Sequence, residues 1–118
     1  MKIYLAGPMR GIPQFNFPAF HAAAAKLKAQ GHEVFNPAAR DEGVYGADFA
    51  KENAIGSEAV AVVNHGFNLR KALCADMEYI CLHAEAIAML PGWKKSKGAT
   101  AEHATATALG LKVIWLEE

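Results

Sequence analysis

No stretch of this chain approaches the roughly 20 apolar residues that a membrane-spanning helix needs, so no membrane partner is expected. The opening, MKIYLAGP, has an apolar part too short for a secretory signal and runs straight into Pro8 and Arg10. Cysteine is scarce: Cys74 and Cys81 are the two in the chain, seven positions apart. On one helix that spacing is roughly 10 Å of rise, beyond disulfide reach. These absences favour a reducing, cytoplasmic setting. An excess of either charge is also missing, since 12 basic and 12 acidic side chains cancel. Without a bulk field there is nothing to draw a nucleic acid polymer, and an anionic ligand must be held by a local pocket. The histidines (His21, His32, His65, His83 and His103) show no ligand spacing, so no metal is expected. No Gly-x-Gly-x-x-Gly follows the first apolar run, which argues against a dinucleotide-dependent oxidoreductase; no cofactor is expected.

What remains is ordinary globular chain. Its 118 residues are 53% hydrophobic and 20% charged, enough for a single domain spanning 1–118 without repeat, low-complexity tract or linker. KIYLAG, from Lys2 to Gly7, reads as a short buried strand closed by Gly-Pro. Asn16 is placed to cap a helix from Phe17 to a Gly31 stop, with Pro18 tolerated in its first turn. HEVFNP is a second strand. Residues 38–67 are the least legible: ADFAKENAIGSEAVAV has a helical composition, but Gly43, Gly46, Gly56 and Gly66 interrupt the region. Leu69 to Ala84 reads as a helix, AEAIAML as a third strand, Ala99 to Leu109 as a helix and KVIWL as a final strand. This alternation predicts an α/β protein, a small flavodoxin/Rossmann-like three-layer fold with a parallel sheet of four to five strands. Ligands bind beyond the carboxyl ends of such strands, which directs attention to GPMRG after the first and PGWKKSKG after the third.

Helical phase singles out two carboxylates. Asp76 falls within the stripe Leu69, Leu73, Ile80 and Ala84, while Glu78 faces the other way. Glu102 shares a face with Ala99, Ala106 and Leu109. A carboxylate buried without a partner costs several kcal/mol, so two of them turned toward one sheet point to function. The alternative is structural, a Glu serving the helix dipole and an Asp bonded to a loop. A carboxylate early in a helix is expected to stay ionised, which suits a nucleophile. Gly98, Ala99 and Ala101 leave room for a substrate beside it. Paired carboxylates divide labour at a glycosidic carbon, one attacking and the other assisting the leaving group. Backbone amides near Ser96, its hydroxyl and Arg10 suit a phosphate, whereas most of Lys94, Lys95 and Lys97 read as a solvated loop. Trp93 is placed either to stack on a base or to lid the core edge, and Trp115 to pack. Phe15, Phe17 and Phe20 either wall a pocket or pin the first helix. His83 is expected as a satisfied core histidine, and the cysteines as buried small hydrophobes.

YLAGPMRG (Tyr4 to Gly11), Asp76, the loop PGWKKSKGA and Glu102 before an Ala-rich helix together resemble the nucleoside 2-deoxyribosyltransferase superfamily. The likeness covers most of the chain. It is closest to the short branch of small bacterial and phage proteins, and it extends to the deoxynucleoside 5'-monophosphate N-glycosidases. The resemblance implies that Glu102 is the nucleophile, that Tyr4 positions it and that Asp76 assists base departure. It implies that Arg10, Gly11 and Ser96 meet a 5'-phosphate, and Gly7, Gly98 and Trp93 join them as substrate-binding positions. A homodimer is implied as well. Two departures from the family's pattern bear on substrate choice: His103-Ala104-Thr105 stands where Gly-Tyr-Ala is usual, and Glu85 where Asp often precedes the third strand. The expected activity is an N-glycosidase acting on a nucleoside monophosphate through a covalent glycosyl-Glu intermediate. A deoxyribosyltransferase is the alternative, and a non-catalytic nucleotide-binding module a further one. The segment PG…KGATAE also resembles the phosphoribohydrolases acting on cytokinin nucleotides, but Gly92-Trp93 replaces their double glycine.

Overall fold

The computed structural model describes residues 1–116. Its elements in chain order are β1 (Lys2–Ala6), α1 (Phe17–Ala29), β2 (Glu33–Phe35), α2 (Pro37–Tyr45), α3 (Glu58–His65), α4 (Leu69–Leu82), β3 (Ala86–Met89), α5 (Lys97–Ala108) and β4 (Lys112–Trp115). Short 3-10 turns cover Pro13–Asn16 and Trp93–Lys95. The strands form one parallel four-stranded sheet in the order β2-β1-β3-β4, as the alternating pattern predicts. Tyr4 in β1 stands opposite Phe35 of β2 and Ile87 of β3, and Ala88 of β3 opposite Ile114 of β4. No helix of the described residues is long and apolar enough to cross a membrane.

Alternation along the two central strands builds both layers of core. Ile3, Leu5, Ala86 and Ala88 face one cluster with Phe17, Phe20, Ala24 and Leu27 of α1. Tyr4, Ala6, Ile87 and Met89 face the other, with Ile80 of α4 and Ala106 of α5. Period-2 patterning thus points Tyr4 toward the α4–α5 side, where both carboxylates arrive. Each fully buried side chain such as Phe20 or Ile87 contributes about 1.5–3 kcal/mol.

Element ends differ from the sequence reading for local reasons. Asn16 precedes α1 but has a left-handed backbone (φ 62°), and its Nδ2 donates to the Pro8 carbonyl at 3.0 Å instead of its side chain capping the helix. β2 stops at Phe35 because Asn36 leaves the sheet and accepts from the Ala38 N–H at 3.0 Å, starting the unforeseen helix α2 with Pro37 in its first turn. Residues 47–55 form turns, and helix resumes at Glu58 behind a Ser57 cap. α5 opens two residues early, because Ser96 accepts from the Ala99 N–H at 3.1 Å. Leu109 and Leu69 are 49% and 40% exposed, so the buried stripes are Ala99, Glu102, Ala106 and Ala72, Asp76, Ile80. His83, Cys74 and Cys81 are exposed rather than buried, whereas Trp115, though 59% exposed, packs on Trp93 and His103 as expected.

The segment before α3 is tied to the loop after β1. Gly11 N–H donates to the Gly56 carbonyl at 2.9 Å, Gln14 N–H to the Asn53 carbonyl at 3.0 Å, and buried Asn53 brackets Ser57 through two further bonds. Gly56 has φ +67°, and a Cβ there would lie 2.2 Å from the Ile12 carbonyl oxygen. Gly56→Ala should therefore lose roughly 2–4 kcal/mol in urea denaturation; a change below about 0.5 kcal/mol would show that this tie is not needed.

Candidate active site

A cavity of about 100 Å³ lies at the carboxyl edge of the sheet, where the chain leaves β1 toward one side and β3 toward the other. Tyr4, Asp76, Glu102 and Arg40 form its polar end. Phe15, Phe17, Phe20, Phe49 and Phe67 form an aromatic wall, so the first three both line the cavity and pin α1. Three consecutive left-handed residues, Gln14, Phe15 and Asn16, turn Phe15 inward, where it stacks on Phe49 at 5.4 Å.

Glu102 is 5% exposed and accepts a hydrogen bond from the Tyr4 hydroxyl at 2.7 Å. Asp76, 8% exposed, faces the same pair from α4. Burial raises Glu102 well above the ordinary carboxylate range, the Asp76 charge raises it further, and Tyr4's donation opposes both. The helix dipole does not dominate as the sequence reading supposes: Glu102 lies beyond the first turn of α5, where that effect has faded. Burial also lifts Asp76, from 3.8 to about 6, against the pull of Arg40. Tyr4 is pushed well above 10.0, by burial first and then by Glu102 and Asp76, so it remains a donor. Two buried carboxylates this close share protons as a unit.

Arg40 and Asp41 of α2 complete the cluster, and the sequence reading missed them. Arg40 Nη2 lies 2.8 Å from Asp41 Oδ1 and 3.3 Å from Asp76 Oδ1, Nε donates to Asp41 at 2.9 Å, and Nη1 donates to the Ala72 carbonyl at 3.3 Å. Asp41 is 4% exposed, and burial raises it from 3.8 to about 6 although Arg40 opposes the rise. The available signal was Asn36-Pro37 directly after a strand, a cap and first-turn pair that places residues 40 and 41 one turn into a helix at the carboxyl edge.

The remaining positions divide. Ser96 and Gly98 line the cavity, and a Cβ at Gly98 would meet nothing closer than Ser96 Oγ at 4.0 Å. Gly7 lines it too, but its smallness serves packing, since a Cβ would lie 2.7 Å from Leu90 Cβ. Arg10 reaches the rim with its guanidinium on Glu58 at 2.8 Å. Gly11 and Trp93 are not brought into the cavity. The Gly11 amide is taken by Gly56, and the Trp93 ring packs on His103 at 4.5 Å and Trp115 at 5.8 Å. Among the described residues no group of His, Cys, Asp and Glu side chains is arranged to hold a metal ion.

Residues 1–115 match the model of a family described as a domain of unknown function, DUF4406. The chain belongs to the DUF4406 family. No curated protein and no solved structure matches it. In this DUF4406 chain, β1, α2, α4 and α5 each contribute to one buried acidic cluster, so the matched span contains the whole site.

The raised Asp76 has a consequence for stability. A carboxyl raised by folding contributes fully below its unfolded value and loses that contribution as pH rises through its folded value of about 6. Between about pH 4 and 7 wild type should lose roughly 1–3 kcal/mol more than Asp76→Asn in urea titrations. Equal losses would contradict the assigned environment of Asp76.

Proposed function

We propose that the protein is an N-glycosidase that cleaves the base–sugar bond of a (deoxy)nucleoside 5'-monophosphate through a covalent glycosyl-Glu102 intermediate. The observation that carries this reading is the buried Tyr4–Glu102 hydrogen bond at 2.7 Å, with Asp76 beside it at the polar end of a cavity at the carboxyl edge of the sheet. It agrees with the resemblance of Tyr4, Asp76 and Glu102 to the nucleoside 2-deoxyribosyltransferase superfamily.

The pair carries one proton, which the free protein shares between Glu102 and Asp76; the reacting form is the tautomer with that proton on Asp76 and Glu102 ionised. Tyr4 holds Glu102 Oε2, leaving Oε1 to attack the anomeric carbon. As that bond forms the N-glycosidic bond breaks, its electron pair moves to the base nitrogen, and Asp76 supplies the proton that neutralises the base. The developing oxocarbenium charge is met by Glu102 in a site shielded from water. Water then attacks the same carbon, gives its proton to the Asp76 carboxylate, and releases Glu102. An incoming base in place of water would make the protein a transferase. The cavity is small by the standard of ligand pockets, roughly 300 Å³ and upward, which suits a sugar with base and phosphate projecting from it. The adjoining groove, lined by Arg10, Lys95, Ser96 and Lys97, favours a 5'-phosphate.

Free-base release from nucleosides and their 5'-monophosphates tests this reading. Wild type should prefer monophosphates, and Glu102→Gln should lose at least about 10³-fold in rate. Tyr4→Phe, which leaves Glu102 without its donor, should lose roughly 10- to 100-fold. Release that survives Glu102→Gln, or no release from any of these compounds with or without an acceptor base, would contradict it.

A further inference from the structure

The geometry points to a function for Arg40 and Asp41: they form a positioning pair that sets how readily Asp76 holds and gives up a proton. The inference rests on Asp76 being the acid of the proposed reaction, but its physical core is independent of that. One guanidinium is divided unequally between two buried carboxylates. Asp41 takes the shorter contacts, 2.8 Å from Nη2 and 2.9 Å from Nε, both to one oxygen. Asp76 Oδ1 receives a single approach at 3.3 Å, without hydrogen-bond alignment, and that buried oxygen has no other partner.

A guanidinium seated squarely on Asp76 would hold it as a carboxylate and remove the acid that base departure needs. With no cation at all, burial of the Asp76 charge would be opposed only by its hydrogen bonds with Glu102 and Tyr4, and Asp76 would keep its proton too firmly. Asp41 draws Arg40 partly away and leaves Asp76 between these extremes. The groups that face Asp76 are Tyr4 from β1, Arg40 and Asp41 from α2, and Glu102 from α5. Of these, Arg40 is the cation. The Nη1 bond to the Ala72 carbonyl fixes the guanidinium against α4, one turn before Asp76, so α2 and α4 keep the division constant.

The two residues should then act in opposite directions, which a purely structural role would not produce. In a Glu102→Gln background, which removes the titration of Glu102, the Asp76 side-chain carboxyl can be followed by ¹³C NMR without any ligand. Arg40→Gln should raise its midpoint by about one pH unit or more, and Asp41→Asn should lower it by a similar amount. Arg40→Lys keeps the charge and should stay between the parent and Arg40→Gln; it also serves if Arg40→Gln fails to fold. With Glu102 intact, the pH optimum of base release from a deoxynucleoside monophosphate should move up in Arg40→Gln and down in Asp41→Asn. Midpoints that stay within about 0.3 pH unit, or that move in the same direction, would overturn the inference. Midpoints that separate as stated, in a protein that releases no base, would retain the pair's control of Asp76 and reject the N-glycosidase reading.

Discussion

Three carboxylates, Asp41, Asp76 and Glu102, are buried around one guanidinium, and the rest of the structure depends on making that arrangement tolerable. Buried charge is costly unless paired, hydrogen-bonded or protonated, and here all three remedies appear. Asp41 is paired with Arg40, Glu102 takes the Tyr4 hydroxyl, and Asp76 shares its proton affinity with Glu102. The arrangement holds only if four elements arrive in register. β1 presents Tyr4 on the α4–α5 face, the Asn36 cap fixes the start of α2, the Asn68 side chain caps α4, and Ser96 fixes the start of α5.

Much of the scaffold was legible because it follows from local chemistry. The strand–helix alternation specifies the parallel sheet, and helical phase alone puts Asp76 and Glu102 on the faces that are buried. Legibility failed between 38 and 67, where the determinants are not periodic. α2 is announced by Asn36 rather than by an apolar stripe, and the turns before α3 are held by Asn53, whose side chain brackets Ser57 while its carbonyl accepts from the distant Gln14 N–H. Arg40 and Asp41 fell in that gap. Their importance comes from Asp76, thirty-odd positions later, and spacing along the chain does not encode that encounter.

The aromatic and polar positions show the same limit. Of the two places open to Trp93 in the loop after β3, on a base or over the core edge, the ring takes the second, packed on His103 and Trp115 beside the Tyr4–Met89 core cluster. Phe49 and Phe67, from the least legible stretch, line the cavity instead. Arg10 reaches the rim held by Glu58, and Gly11 gives its amide to Gly56, so the loop after β1 is shaped largely by its contact with the α3 region. Gly98 lines the cavity that Glu102 also lines, and its smallness there is matched by open space rather than by a packed neighbour.

The central claim is that Glu102 bonds covalently to a sugar. Intact-protein mass spectrometry after rapid acid quench of wild type with a deoxynucleoside 5'-monophosphate, followed by peptide mapping, tests it most directly. The account predicts an added mass equal to the sugar phosphate less one water, located on the peptide containing Glu102 and absent from Glu102→Gln. Base release with no adduct on that peptide, or an adduct that persists in Glu102→Gln, would contradict it.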